Sequence, residues 1–152
     1  MGIKINIKTD KNNNQAFKIP SNMLNGFQSR VKIGFRKMCQ NTKRHAYIET
    51  SEYGKHTGRT YYINGKKHIA SASGESHASI TGKLTNSIIY NVQSSRVASF
   101  GYDKSTKYGR YLELGTNKMK ARPTLKNAMK NAKIENENIL TNVLSLNSFG
   151  LK

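Results

Sequence analysis

The stretch YGRYLELGTNKMKARPTL, residues 108–125, decides the fold. Its first part, residues 108–114, allows a short helix or a strand, and the spacing of its apolar side chains favours the helix. Gly115 predicts the end of that helix, because glycine adopts the left-handed conformation at little cost. Pro123 predicts the start of another helix, since the first turn does not need the N–H that proline lacks. The stretch therefore predicts a corner that leads from the sheet region into a helix.

Long helices are predicted on both sides of this corner. From residue 123 to about residue 146, apolar side chains keep helical spacing, and Leu125 and Met129 are expected to face the core. Residues 21–46 predict an earlier long helix, because one apolar stripe recurs there at three- and four-residue steps. That stripe consists of Leu24, Phe27, Val31, Phe35, Met38 and Thr42.

A basic stripe lies on another face of the first predicted helix. It consists of Arg30, Lys37 and Arg44, which are seven residues apart. Two interpretations are open for it. The charges can form an ordinary solvated face, or they can face phosphate or acidic groups of a partner.

Antiparallel strands are predicted between the two long helices. Residues 87–102 contain two β-prone runs around a Ser-Ser turn and predict a hairpin. A second hairpin is predicted around Asn64-Gly65, because the tightest hairpin turn needs positive φ at both central positions. The glycine- and serine-rich flanks of this hairpin predict that it forms the tip of a flexible arm at about residues 54–77. Candidate partner contacts on the arm are Tyr61, Tyr62, Asn64, Gly65, Lys66 and Lys67.

These elements predict one domain over residues 1–152. The predicted fold class is α+β: an antiparallel sheet packed against two long helices, with the β-hairpin arm projecting. Residues 3–8, in which isoleucine alternates with polar residues, predict a further half-buried strand. Because hydrophobic residues make up only 36% of the chain, the core is expected to be thin. Contacts between subunits would then have to bury part of the apolar surface.

The chain is strongly basic, with 26 Lys and Arg against 8 Asp and Glu and a formal net charge of +18. A protein with this charge usually meets an acidic partner, either nucleic acid, an anionic membrane or an acidic protein surface. No apolar run reaches the length of a membrane span, and no membrane partner is predicted. Tyrosines interleaved with the basic residues would suit nucleic acid, but strands are rich in tyrosine for packing reasons alone.

No catalytic, metal or cofactor site is predicted. The eight acids are scattered, whereas metal-dependent nucleases need clustered carboxylates. The four histidines match no zinc spacing and are expected on the surface. The single cysteine, Cys39, is expected to be a small buried thiol in a chain of the reducing cytosol. A metal-free ribonuclease that uses His and Lys stays an alternative.

Two motifs resemble a known family. Residues 81–88, TGKLTNSI, precede the strand pair, and residues 108–125 follow it. This order resembles the T-G-x-L-x-x-S-I, Y-x-x-Y-x-E-x-G-T and R-P-F-L elements of the tail-completion, or head-to-tail joining, proteins of long-tailed bacteriophages. The chain departs from that pattern at Thr124, where phenylalanine is usual, and at Gly109, where alanine is common. The matching positions are Thr81, Gly82, Leu84, Ser87, Ile88, Tyr108, Tyr111, Glu113, Gly115, Thr116, Arg122, Pro123 and Leu125.

The resemblance implies a virion structural protein and not an enzyme. It implies a ring, expected to be a hexamer, at the neck of the virion, assembled in the cytoplasm of the host bacterium. The implied partners are other copies of the chain, the tail-tube protein and the head connector or stopper proteins, with non-specific contact to the genome DNA. Within the motif, Glu113 is expected to pair with Arg110 or Arg122. A basic nucleic-acid-binding protein is the alternative function.

Overall fold

The computed structural model describes residues 21–51 and 56–145, which contain five helices and four strands. The helices are α1 (Ser21–Thr50), α2 (Lys83–Asn86), α3 (Tyr108–Leu114), α4 (Thr124–Asn131) and α5 (Lys133–Leu144). The strands are β1 (Thr60–Ile63), β2 (Lys66–Ile69), β3 (Ile88–Val92) and β4 (Ala98–Tyr102). The predicted α+β fold class is confirmed. The strand predicted over residues 3–8 lies outside the described residues.

Both predicted hairpins are confirmed. Strands β1 and β2 pair antiparallel, with Ile63 opposite Lys66. Asn64 and Gly65 join them with φ angles of 49° and 75°, the two positive values that this turn requires. Strands β3 and β4 also pair antiparallel. The helix preferred for residues 108–114 is confirmed as α3.

Two details of the predicted architecture are wrong. The four strands do not form one sheet, because β1–β2 and β3–β4 are separate two-stranded sheets. The last helix, predicted as continuous from residue 123, is interrupted at Ala132 between α4 and α5. The N–H of Ala132 still bonds the carbonyl of Ala128 at 2.9 Å, and the N–H of Asn136 bonds that of Ala132 at 2.9 Å. No proline or glycine marks the interruption, so the sequence carried no local signal for it.

Helix α1 runs antiparallel to α4 and α5. A Cβ on Gly34 would lie 3.3 Å from Cγ1 of Val143, so the helices approach closely at that point. Further along, the Asn136 amide donates to Thr42 Oγ1 at 3.0 Å, and the Asn41 amide donates to Asn136 Oδ1 at 3.1 Å. These directional bonds fix the register between α1 and α5 in addition to the apolar packing.

The predicted apolar stripe of α1 is only partly correct. Because Gly34 already meets the last turn of α5, the first turns of α1 extend past that helix. Leu24 and Phe27 are therefore exposed, and the buried part of the stripe begins at Val31. At the other end of the chain, Leu125 packs against the core as predicted, whereas Met129 is exposed.

The core is small and is built around small side chains. Its centre consists of Ala46 of α1, Ile88 of β3 and Ala128 of α4, all fully buried. Alanine at the contact lets two helices approach closely, at the cost of burying little apolar area per residue. The partly buried residues that complete the cluster are Phe100, Tyr102 and Leu125.

A buried polar network joins α1, α2 and α4 to the segment before α2. The backbone N–H of His77 donates to Thr124 Oγ1 at 3.0 Å, and its ring Nδ1 lies 2.7 Å from the same oxygen. Its Nε2 lies 3.4 Å from Thr85 Oγ1, which is 2.9 Å from Thr50 Oγ1. Burial, and then the charge of His56, lower the pKa of His77 to about 4. The expectation of surface histidines is therefore wrong for His77.

We predict that the protein loses stability as the pH falls from 6.5 to 4 because of His77. The folded state keeps this imidazole neutral down to about pH 4, whereas the unfolded chain takes up the proton near pH 6.5. The contribution is complete above pH 6.5 and is lost toward pH 4, on the order of 3 kcal/mol. Urea denaturation at several pH values across this range measures the loss.

The control for this prediction is a substitution of His68, which lies on the β1–β2 hairpin. His77→Gln should flatten the pH dependence of the free energy of unfolding, whereas His68→Gln should leave it as in the unsubstituted protein. If His77→Gln loses stability as steeply as the unsubstituted protein does, another group is responsible.

Candidate functional site

The corner predicted from the sequence is held by a carboxylate that caps a helix. Glu113 of α3 lies at the N-terminus of α4, where its Oε2 accepts from the Leu125 N–H at 3.1 Å and its Oε1 from the Lys126 N–H at 2.9 Å. A helix leaves these N–H groups without internal partners, and its dipole favours an anion there. The expected ion pair of Glu113 with Arg110 or Arg122 is wrong, because within the described ranges the carboxylate bonds backbone N–H groups instead.

Gly115 closes the corner in a conformation that requires glycine. Its φ of 77° is one that other residues rarely adopt, but its ψ of 179° is extended, so the predicted left-handed helix end is wrong in detail. A Cβ at this position would lie 2.9 Å from both the Ala121 nitrogen and the Met119 oxygen. The N–H of Thr116 donates to Met119 O at 2.7 Å and closes the loop against the glycine.

The first motif, residues 81–88, packs against this corner. Gly82 starts α2 with a φ of 71°, and Leu84, two residues later, is buried. The Ser87 hydroxyl donates to the Leu84 carbonyl at 2.6 Å. A Cβ on Gly109 of α3 would lie 3.2 Å from Cδ1 of Leu84. The two motifs, separate in the sequence, therefore form one structural unit.

Both departures from the family pattern have structural reasons in this chain. Thr124 is fully buried and bonds His77, which phenylalanine could not do. Gly109 lies against the ring of Tyr102, where an added Cβ would be 2.7 Å from Cδ2. Burial, and then the neighbouring Glu113 carboxylate, raise the pKa of Tyr102 far above its usual range, so its hydroxyl stays protonated. Each departure is thus matched by a neighbouring side chain.

Some motif residues point away from the corner. Tyr108, Tyr111 and Leu114 follow one another at three-residue steps along α3 and are all exposed, Tyr111 by 58%. Spacing of this kind places them along one side of the helix. The packing of the domain does not account for these apolar side chains, so they form a candidate contact surface.

The arm is tied down at its base. Oxygens of the Glu75 carboxylate accept from the N–H and the hydroxyl of Thr57 and from the N–H of Ala72, at 2.6 to 3.1 Å. The Thr57 hydroxyl is the largest of the influences that lower the pKa of Glu75. In addition, the Gly58 N–H donates to Ala70 O at 2.9 Å. Beyond this base, among the described strands, β1 and β2 pair only with each other.

The candidate contacts on the arm differ in their environments. Tyr62 is 70% exposed, and Lys66 and Lys67 are exposed at the tip beside the Asn64-Gly65 turn. Tyr61, on the other face of β1, is half-buried and stacks on His68 with ring centroids 5.9 Å apart. One face of the hairpin is therefore open to solvent, and the other faces the domain.

A groove separates this inner face from the domain, and we name it the hairpin groove. It consists of two hollows of about 500 and 200 Å³ that share Tyr61 and residues 78–80. The walls of the larger hollow include Tyr61 and Ile63 of β1 and Tyr108 and Leu112 of α3. No pattern in the sequence predicts this groove, because its walls come from separate parts of the chain and carry no shared motif.

The basic stripe of α1 is divided in the structure. Arg44 donates to Glu135 of α5 at 2.8 Å, and both side chains are about half exposed, so its charge is compensated. Arg30 and Lys37 line a hollow between α1 and α5 together with Ile33 and residues 139, 142 and 143. The three residues therefore do not form one uniform cationic face.

Three other expectations concern ligands, the cysteine and the membrane. Within residues 21–51 and 56–145, no three or more His, Cys, Asp and Glu side chains are grouped as metal ligands. Cys39 is partly buried, and this burial raises the pKa of its thiol. No helix in the described part of the chain is both long enough and apolar enough to cross a membrane.

Comparison of the chain with known proteins gave no match to a family model, to a curated protein or to a solved structure. The resemblance to tail-completion proteins therefore stays a prediction. It depends on the two motifs, residues 81–88 and 108–125.

We predict that Gly115→Ala lowers the free energy of unfolding by about 2 kcal/mol or more, because the added Cβ meets backbone atoms and the positive φ disfavours alanine. Thermal and urea denaturation measure the change. Gly101→Ala in β4 is the matched control, since nothing lies within 4 Å of a Cβ there. Its effect should stay within about 0.5 kcal/mol. Equal effects of the two substitutions would contradict the role given to Gly115.

Proposed function

We propose that this chain is a structural subunit of a bacteriophage virion, which forms a ring at the top of the tail and joins the tail to the head connector. The observation that carries the proposal is the two-part motif, residues 81–88 and 108–125, whose parts pack into one corner through Leu84 and Gly109. The residues of this motif cap a helix, form a turn and pack the corner, all of which are structural roles. The proposal therefore involves no catalytic step.

The surface of the domain supports the assembly part of the proposal. Within the described residues, six hydrophobic residues are buried, whereas seventeen large hydrophobic residues are exposed. Apolar side chains that cluster on a surface are typical of sites that bind other proteins. A second apolar hollow, of about 510 Å³, lies between α1, β4 and α5, and its walls include Phe35, Met38, Phe100, Met129 and Leu140.

A closed ring needs two different contact surfaces on each subunit, because its contacts are head-to-tail. The hollow between α1, β4 and α5 is separate from the exposed side of α3 that carries Tyr111 and Leu114, so the domain offers more than one apolar surface. The net charge of +18 repels like subunits at low salt and favours acidic neighbours above and below the ring.

We expect the purified chain to form a hexameric ring, either alone or when mixed with the tail-tube or connector subunits encoded beside it. Native mass spectrometry of each mixture measures the assembly. Met129→Glu puts a charge on the wall of the second apolar hollow and should weaken the ring, whereas Lys118→Glu, in the exposed turn after α3, should not. A chain that stays monomeric and binds neither protein would rule out the proposal.

A second candidate function is non-specific binding of nucleic acid, which the net charge of +18 favours. Lys37 is exposed on α1, and its charge is not engaged in any ion pair of the described residues. Arg44, by contrast, is paired with Glu135. Lys37 and Arg44 should therefore differ in their contribution to such binding.

We predict that binding to duplex DNA weakens steeply with salt and that Lys37→Gln reduces the slope of log affinity against log salt by about one. Arg44→Gln is the matched control and should change the slope less, because Glu135 already compensates that charge. Fluorescence anisotropy over a series of salt concentrations measures both slopes. Affinity that does not depend on salt would exclude this function.

A further inference from the structure

We infer that the hairpin groove binds an extended segment of another protein that has large apolar side chains in its middle and acidic side chains on either side. The inference rests on the proposed function, because it states what kind of partner a joining subunit would hold there. It is carried by the isolation of the hairpin, by the apolar walls of the groove and by the charges that line it.

The hairpin stands apart from the other sheet. A two-stranded sheet by itself is marginally stable in water and needs a surface to pack on. The inner residues Tyr61 and Ile63 line the same open hollow as Tyr108 and Leu112. Ile80, which belongs to both hollows, is 48% exposed between these walls. An apolar segment in the groove would cover both walls and would attach the hairpin to the domain.

Among the described residues, the charged side chains that line the groove are all cations. Lys83 and Arg122 line the larger hollow, and Lys67 lines the smaller one. The stretch shared by the two hollows carries no charged side chain, and no carboxylate lines either hollow among the described residues. A ligand that complements this pattern is apolar in its middle and acidic on either side.

This pattern favours a protein segment over nucleic acid and over a second copy of the chain. Nucleic acid carries a phosphate at every nucleotide, whereas the shared stretch around Ile80 offers no cation. Ile63 and Leu112 add aliphatic walls, on which bases stack less well than on aromatic rings. A second copy offers few free carboxylates to these cations, because Glu75, Glu113 and Glu135 are bonded within the domain.

The test uses the full chain and a fluorescent synthetic peptide in which glutamates flank a central run of leucines. Anisotropy should report saturable binding of this peptide and no binding of a peptide in which lysines replace the glutamates. Ile80→Glu and Lys83→Glu should each weaken the binding by about tenfold or more. The matched controls are Ile134→Glu and Lys130→Glu, exposed residues outside the groove, which should keep the affinity. Circular dichroism of every variant checks that it folds.

Three outcomes would overturn the inference. The first is that the glutamate peptide does not bind. The second is that oligothymidylate binds in its place and loses affinity in Ile80→Glu. The third is that Ile80→Glu abolishes self-association of the chain, which would identify a second copy as the occupant.

These failures differ from a failure of the proposed function. If rings form with the tail-tube or connector subunits while the peptide does not bind, the inference fails alone. If the peptide binds but no mixture gives a ring, the proposed function fails alone.

Discussion

The carboxylate of Glu113 at the N-terminus of α4 is the interaction on which the rest of the domain depends. It satisfies two backbone N–H groups of that helix and so fixes α4 relative to α3. Helix α4 in turn supplies Ala128 to the core and Thr124 to the His77 network, which also reaches α1 through Thr50. One side chain in a surface motif thereby positions the helix that joins the apolar core to the buried polar network.

That architecture leaves little of the apolar surface buried. Alanines at the centre let α1 and α4 approach closely, but each contributes little area, and the remaining buried positions are largely threonine, serine and histidine. Many large apolar side chains, such as Tyr111 and Leu114 of α3, consequently stay on the surface. Association with neighbouring subunits, as in the proposed function, would cover such side chains and would add stability.

The net charge of the chain favours some binding partners of this surface over others. The chain carries +18, and its described carboxylates are largely used internally: Glu113 caps α4, Glu75 holds the base of the arm and Glu135 pairs with Arg44. Few acids are therefore left to attract another copy, whereas the cations around the hairpin groove remain available to an acidic partner. Apolar surface supplies affinity in such contacts, and the charge selects the partner.

The sequence by itself determined the features that depend on neighbouring residues. Asn64-Gly65 predicted its turn because only a few residue types accept two positive φ angles, and apolar spacing predicted α1 and α3. Tertiary structure alone decided the partner of Glu113, the interruption at Ala132 and the walls of the hairpin groove. The physical reason is that each of these depends on which distant segments meet in space. Periodicity and turn residues indicate local conformation, but they do not indicate which distant segments pack together.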